Sequence, residues 1–209
     1  MTRLWVAGLI LLAWVPAYGQ KDELAPGKFL IADRELGDPN FAETVILVVN
    51  YDHDDGALGL IINRRTEVSL ARVLRDVKGA KGRTDPVYLG GPVESAGVLA
   101  MLRSASKPEE AQHIFADVYL VSSKTLLEKS LAEEAEPSRF HVYLGYAGWG
   151  PGQLEREMEA GGWHVLPAEV KVVFDADPDS VWSRLIKRTE MRIARVFRHS
   201  EPRQLWSGF

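Results

Sequence analysis

The stretch Gly145-Tyr146-Ala147-Gly148-Trp149-Gly150-Pro151-Gly152-Gln153-Leu154-Glu155 sets four glycines around a tryptophan and a proline. Each glycine raises the conformational entropy that a fixed backbone must give up. The stretch is therefore expected to be a shaped loop, entered from a strand over residues 139–144 and left through a helix over 153–160. Two demands would justify so many glycines: a turn where no Cβ fits, or a neighbour lying close against the main chain. On this reading Gly148, Gly150 and Gly152 hold geometry that a side chain would strain. Backbone N–H groups beside a helix start also make an anion seat. However, no Lys-Ser/Thr follows Gly152, the spacing is not G-x-G-x-x-G, and Glu155 already complements the helix dipole. Structural corner and ligand cradle both stay open, as do a core plug and an exposed stacking platform for Trp149.

On either side the chain alternates strand-like and helix-like segments. Residues 29–32 and 44–50 are short apolar or β-branched runs and are expected as strands. Asp52 to Gly56 is turn chemistry, and 57–63 returns as the second arm of a hairpin. Ser69 is placed to cap a helix through Val77, with Leu70, Val73, Leu74 and Val77 on one face. Strands are expected at 87–89 and 98–102 around a Gly90-Gly91-Pro92 corner, and at 114–121. Ser122 or Ser123 caps the next helix, with an apolar stripe of Leu126, Leu127 and Leu131. Residues 163–166 and 170–174 read as the last strands. Asp177-Pro178 then opens the longest helix. Several strand pairs are joined too closely for parallel crossovers. The expectation is a single compact α/β (α+β) domain: a mixed, mostly antiparallel sheet flanked by helices.

Four segments carry a family resemblance. They are Lys28-Phe29-Leu30-Ile31-Ala32 with Asp38-Pro39-Asn40-Phe41, His53 through Asn63, Gly90-Gly91-Pro92-Val93, and the GYAGWGPGQLE stretch itself. In this order and spacing they resemble the YqgE/AlgH family. The match covers residues 24–182. The resemblance implies a compact α/β domain of poorly defined biochemistry. One member of that family is associated with regulation of polysaccharide production, and members are usually described as regulators. The motif positions His53, Asn63, Gly90, Gly91, Pro92, Gly148, Trp149, Gly150 and Gln153 become the surface candidates. The chain differs from the family pattern by an extension before Lys28 and by a longer basic segment over 183–209.

The extension reads as a secretory signal over residues 1–19. Arg3 precedes the apolar run Leu4 to Val15, Pro16 breaks it, and Ala17-Tyr18-Gly19 supplies small residues for cleavage before Gln20. The run is shorter than the roughly 20 residues that a bilayer span needs. The expected location is periplasmic or secreted; a misassigned start would make it cytoplasmic. About 190 residues remain, one ordinary domain. A 46% hydrophobic content supports a real core, and a net charge of −4 argues against whole-surface nucleic-acid binding. Zero cysteines excludes disulfides, thiolate metal sites and a thiol nucleophile.

Catalytic patterns are scarce. His53 stands among Asp52, Asp54 and Asp55, which suits a metal or a base only if a remote partner such as His113, His141 or His164 joins it. A solvated turn is the simpler reading. No H-E-x-x-H pair and no G-x-S-x-G elbow occurs, and Ser95 after Glu94 has no identifiable base. Asp33, Arg34, Glu35 and Asp38 read as solvated loop charges. The sequence points to no cofactor and no metal, and it leaves an enzyme only through a constellation assembled in three dimensions.

The C-terminal segment carries two periodicities. Val181, Trp182, Leu185, Ile186, Ile193, Val196 and Phe197 form an apolar face, while Arg188, Arg192, Arg195 and His199 line a second stripe. The arginines either form a solvated face that complements the helix dipole or meet an anionic partner. Three functions follow. The first is a non-catalytic regulatory or binding protein for an unknown protein or small anionic ligand. The second is an enzyme with a cleft beside the glycine stretch and the Gly90-Gly91-Pro92 corner. The third is an envelope protein meeting an anionic membrane surface through the basic helix. Export would set nucleic acid aside as a partner. Oligomeric state stays open.

Overall fold

The computed structural model describes residues 23–133 and 135–200, without side chains for 196–200; the segment 1–19 expected as a signal and the tail from residue 201 lie outside the described residues. Ten strands form one curled sheet: β1 (Lys28–Ala32), β2 (Val45–Asp52), β3 (Gly56–Ile61), β4 (Arg65–Ser69), β5 (Pro86–Leu89), β6 (Val93–Arg103), β7 (Ala111–Phe115), β8 (Val118–Val121), β9 (Phe140–Trp149) and β10 (Trp163–Pro167). The helices are α1 (Leu70–Val73), α2 (Lys124–Ala132), α3 (Gln153–Glu159), α4 (Val170–Val173) and α5 (Val181–Ser200).

Strand alternation sorts the core. Successive side chains point to opposite faces. Phe29, Ile31, Val45, Leu47 and Val49 enter one apolar cluster, and Leu30, Ala32, Ile46 and Val48 enter another. Both faces are covered, which is why β1 and β2 read as unbroken apolar runs. The first cluster also takes Tyr88, Met101 and Tyr143, and is closed by Val172 and Val173 of α4 and Val181, Leu185 and Ile186 of α5. On the opposite face α3 contributes Leu154 beside β1–β3, while α2 packs Leu126, Leu127 and Leu131 against β5, β6 and β9. Ser123 caps α2 by accepting from Leu126 N–H.

The sheet runs β10-β1-β2-β3-β9-β6-β8-β7, with β4 and β5 branching off it. All pairings are antiparallel except β5 with β9. The expected α+β class and mixed sheet are therefore found. β9 joins the halves. Its end pairs with β3 (Ala57 opposite Trp149, Gly59 opposite Ala147), while its start lies between β6 and β5. Ile61 N–H donates to the Gly90 carbonyl and Gly90 N–H to the Leu144 carbonyl, so β3 and β5 meet at Gly90.

Several local expectations are corrected. The glycine stretch is not a loop from residue 145: β9 continues through Gly145 and Gly148 to Trp149, because backbone pairing on its edges outweighs the entropy that glycine loses. Only Gly150 to Gly152 turn, with Gly152 left-handed at φ 67°. The segment 170–174 is a helical turn rather than a strand: β10 ends at Pro167, and burial of Val172 and Val173 under α5 overrides the β preference of valine. Residues 114–121 contain two strands joined by a turn, with Ala116 at φ 46°. The helix expected from Ser69 to Val77 is a single turn. The expected boundary after Trp182 falls inside α5, which is continuous from Val181.

Candidate functional site

The two glycine segments singled out in the sequence do converge, but as packed backbone. A Cβ at Gly145 would stand 2.6 Å from the Gly91 carbonyl oxygen and 2.8 Å from that of Val93. Gly90 lies against the Gly145 carbonyl and Gly91 against the Tyr146 main chain. No cleft separates them. Pro92 is exposed at the start of β6. A Cβ at Gly148 would stand 3.2 Å from the Tyr146 ring, a tight contact with a side chain, and one at Gly150 would meet nothing within 4 Å, so the severest strain falls on Gly145 instead.

Trp149 is a core plug, 4% exposed. Its ring stacks on Phe41 and meets Trp163 edge-on, each at 6.0 Å between centroids. Trp149 Nε1 and Trp163 Nε1 both donate to Glu157 Oε2 at 2.9 Å. Gln153 donates to Glu157 Oε1, and its own Oε1 accepts from Gly150 N–H at 3.2 Å. The N–H expected to face an anion is thus met by a side chain of α3.

Asn63 is structural as well. Its Oδ1 accepts from Val45 N–H at 2.7 Å and its Nδ2 donates to the Glu43 carbonyl, holding β2 at its start. His53 sits in a solvated turn whose N–H groups at Asp54 and Asp55 donate to Asp52 Oδ1. Its side chain is 81% exposed, and the neighbouring Asp54 carboxylate raises its pKa. His113 lies near the Ala116 carbonyl, and His164 pairs with Asp33 at 2.8 Å. Among the described residues no three His, Cys, Asp or Glu side chains gather to hold a metal. No described helix is long and apolar enough to cross a membrane.

Along α5, Arg188 is engaged by Glu169, whose pKa this contact lowers. Arg192 and Arg195 are exposed, with interactions of their own. Ile193, expected to pack inward, is 42% exposed, because the helix has by then run past the sheet. Arg34 pairs with Glu190 at 2.6 Å and lies 5.5 Å from the Trp182 ring, so of the charges after β1 this one ties the loop to α5.

One site was not among the sequence candidates. A cavity of about 250 Å³ lies where β5 and β9 begin and the chain leaves α4. Tyr88, Phe140, His141 and Phe174 give it aromatic walls. Tyr88 stacks on His141 with centroids 4.6 Å apart and 22° between planes; Phe174 lies 4.9 Å from the same imidazole. His141 is 8% exposed, and its Nδ1 has no hydrogen-bond partner. Burial pushes its pKa down to about 4, against the opposing pull of the Pro137 and Val173 carbonyls and of Asp85. Burial likewise raises the Tyr88 phenol. Behind Tyr88, the buried Tyr143 hydroxyl is a second unpartnered group. The charged lining residues are each paired: Arg65 with Asp179 at 3.6 Å, Asp85 with Arg83, and Asp175 with Arg184 at 2.5 Å. The arrangement can take a small, largely apolar group against its aromatic walls. The sequence signal was slight: one histidine in an apolar strand.

A curled α+β sheet flanked by helices is a fold already seen in solved structures. The crystal structure of protein DIP2367 from Corynebacterium diphtheriae shares the fold, with a TM-score of 0.67 and 24% identity over 91% of this chain and 95% of that one. The AlgH protein from Pseudomonas aeruginosa, a UPF0301 protein solved in solution, superposes with a TM-score of 0.66 and 29% identity, covering 85% of this chain and 94% of its own. The AlgH-like family profile matches residues 29–194. A UPF0301 protein of Sphingopyxis alaskensis is 40% identical over 160 residues, 75% of this chain and 84% of its own length. One from Anaeromyxobacter dehalogenans is 37% identical over 175 residues, 79% and 87% of the two chains. The chain belongs to the AlgH-like family.

Proposed function

We propose that this AlgH-like protein is a non-catalytic binding protein of the regulatory type, exported, whose ligand seat is the cavity between Tyr88, His141 and Phe174. The single observation that carries the reading is the cavity itself, about 250 Å³ and walled by Tyr88, Phe140, His141 and Phe174. Binding is favoured over catalysis because an imidazole titrating near about 4 is a weak base at neutral pH. The Ser138 hydroxyl, also in the lining, points to Glu136 at 3.4 Å rather than to His141. The pairing of Arg188 with Glu169 weakens the reading of α5 as an anion-binding stripe. Export rests on the Leu4 to Val15 run and the Ala17-Tyr18-Gly19 site.

Toluene titration followed in aromatic ¹H–¹³C spectra tests the seat. Saturable shifts at Tyr88, Phe140 and Phe174 are expected. Ala176→Trp at the cavity mouth should abolish them without lowering the melting temperature. Shifts scattered over the surface, or unaffected by Ala176→Trp, would overturn the assignment.

A further inference from the structure

α5 packs on the core through Val181, Leu185, Ile186 and Thr189, all buried. Helix geometry then fixes which residues stand on the outer face. Arg184, Arg188, Met191 and Arg195 recur at i, i+4, i+7 and i+11 along one line, with Lys187 and Arg192 on either side of it, and all six are exposed. The line runs about 16 Å at about 1.5 Å per residue. Glu190 falls off it and pairs with Arg34 at the flank. Charge is segregated as well. Residues 187–209 hold six Lys and Arg against two Glu, a surplus of four in a chain whose net charge is −4. An anionic surface therefore attracts this face and repels the rest of the molecule, which sets an orientation.

Arg184 is held by Asp175 and Arg188 by Glu169, yet their side chains stay 53% and 51% exposed. A guanidinium has five N–H donors, so a carboxylate on one edge leaves donors for a phosphate. Three features choose the partner. The face is the convex side of a helix and gives a flexible polyanion no groove. Met191, 56% exposed on the line, is an apolar contact that a headgroup layer accepts. None of the six is an Asn, Gln or aromatic residue suited to reading a base.

We propose that the outer face of α5 docks the protein on an anionic phospholipid bilayer, with Met191 at headgroup level and the surrounding cations on lipid phosphates. The face is separate from the Tyr88–His141–Phe174 cavity, and its test does not depend on what the cavity holds.

The chain from Gln20 is sedimented with vesicles of phosphatidylglycerol and phosphatidylcholine at about one to two, and with phosphatidylcholine alone. Affinity for the anionic vesicles should be at least about tenfold higher. It should fall at least about tenfold between about 0.1 M and about 1 M salt, as the screening length shrinks from about 10 Å to about 3 Å. Equal binding to both vesicles, or no salt dependence, overturns the proposal. Combining Lys187→Gln, Arg192→Gln and Arg195→Gln should remove at least about tenfold of the affinity at an unchanged melting temperature. Removing the same charge at Arg72, Arg75 and Lys78, exposed around α1, should change it less than about threefold. An equal loss there would show net charge alone at work and overturn the face. If the α5 variant does not fold, a single label decides, because the chain has no cysteine. A polarity-sensitive dye on Met191→Cys should shift to the blue on anionic vesicles, while the same dye on Ser95→Cys, exposed on β6, should not. No shift at Met191, or an equal shift at Ser95, overturns the docking face. Tighter binding to polyglutamate or to an oligonucleotide at matched charge overturns the bilayer as the partner.

Discussion

A histidine kept neutral inside a fold makes folding compete with protonation. His141 takes up its proton near about 4 when folded, against about 6.5 in the unfolded chain. Between those values the unfolded chain binds more protons, so stability rises with pH. The contribution is complete above about 6.5 and is lost as pH falls toward 4, a total of about 3 kcal/mol. Glu155, Glu169, Glu190 and Asp175, with lowered pKa values, add a loss of the same sign toward acid, and the exposed His53 pulls weakly the other way. Urea unfolding should therefore show stability falling by about 2 kcal/mol from pH 7 to 5. His141→Phe should flatten that slope; an unchanged slope would remove His141 as its cause. Gly145 is a second decisive residue. With φ at 68° and two carbonyl oxygens where a Cβ would go, Gly145→Ala should lose well over 1 kcal/mol. Gly150→Ala, with nothing within 4 Å, should melt like the wild type. Equal melting temperatures for the two variants would refute the junction. Composition around residue 145 announced a special backbone. Which glycine carries it depends on Gly91 and Val93, far away in sequence, and so was not legible.

At the scale of elements, α5 sets a buried face against a charged one. Leu185 and Ile186 are 6% and 1% exposed, whereas Arg188 and Glu169 pair at the surface. Ile186→Ala should lose about 2–5 kcal/mol, as buried large-to-small changes do. Arg188→Gln should lose less than about 1 kcal/mol, the ordinary worth of a partly exposed pair. Chemical denaturation of the two variants checks the contrast, and a larger loss for Arg188→Gln would reverse it. The apolar period of α5 was readable as far as Ile186, because helix geometry alone fixes which residues share a face. Ile193 was misplaced because the periodicity does not say where the sheet beneath it ends. Val170 to Val173 were misread for a related reason: a valine-rich run fits strand or helix until the packing partner is known. β1, β2 and β3 were legible because apolar runs bounded by turn residues leave few other options. The cavity was not legible, since Tyr88, His141 and Phe174 meet only once β5, β9 and α4 are assembled.

At the scale of the molecule, α5 closes the main core together with the sheet, so the unit does not end at Trp182. Truncation after Trp182 should abolish cooperative unfolding. Burial of Leu185 and Ile186 alone contributes about 3–6 kcal/mol, against a total of about 5–15 kcal/mol for an ordinary domain. A truncated chain that still melts cooperatively would show α5 to be an appendage. Intact mass of the natively produced protein should correspond to a chain beginning at Gln20; retention of Met1 in the soluble product would overturn export. The position of β9 has a consequence in time. It pairs with β3, β5 and β6, all made earlier, and β10 must still return to β1. While the ribosome is still short of Phe140, β3 and β6 emerge with open edges and no strand between them. Such pairings across long sequence separation form slowly, and unpaired edges are aggregation-prone while they wait. The nascent chain thus passes most of its synthesis uncommitted, and a holding chaperone should matter more to its yield than to its final stability.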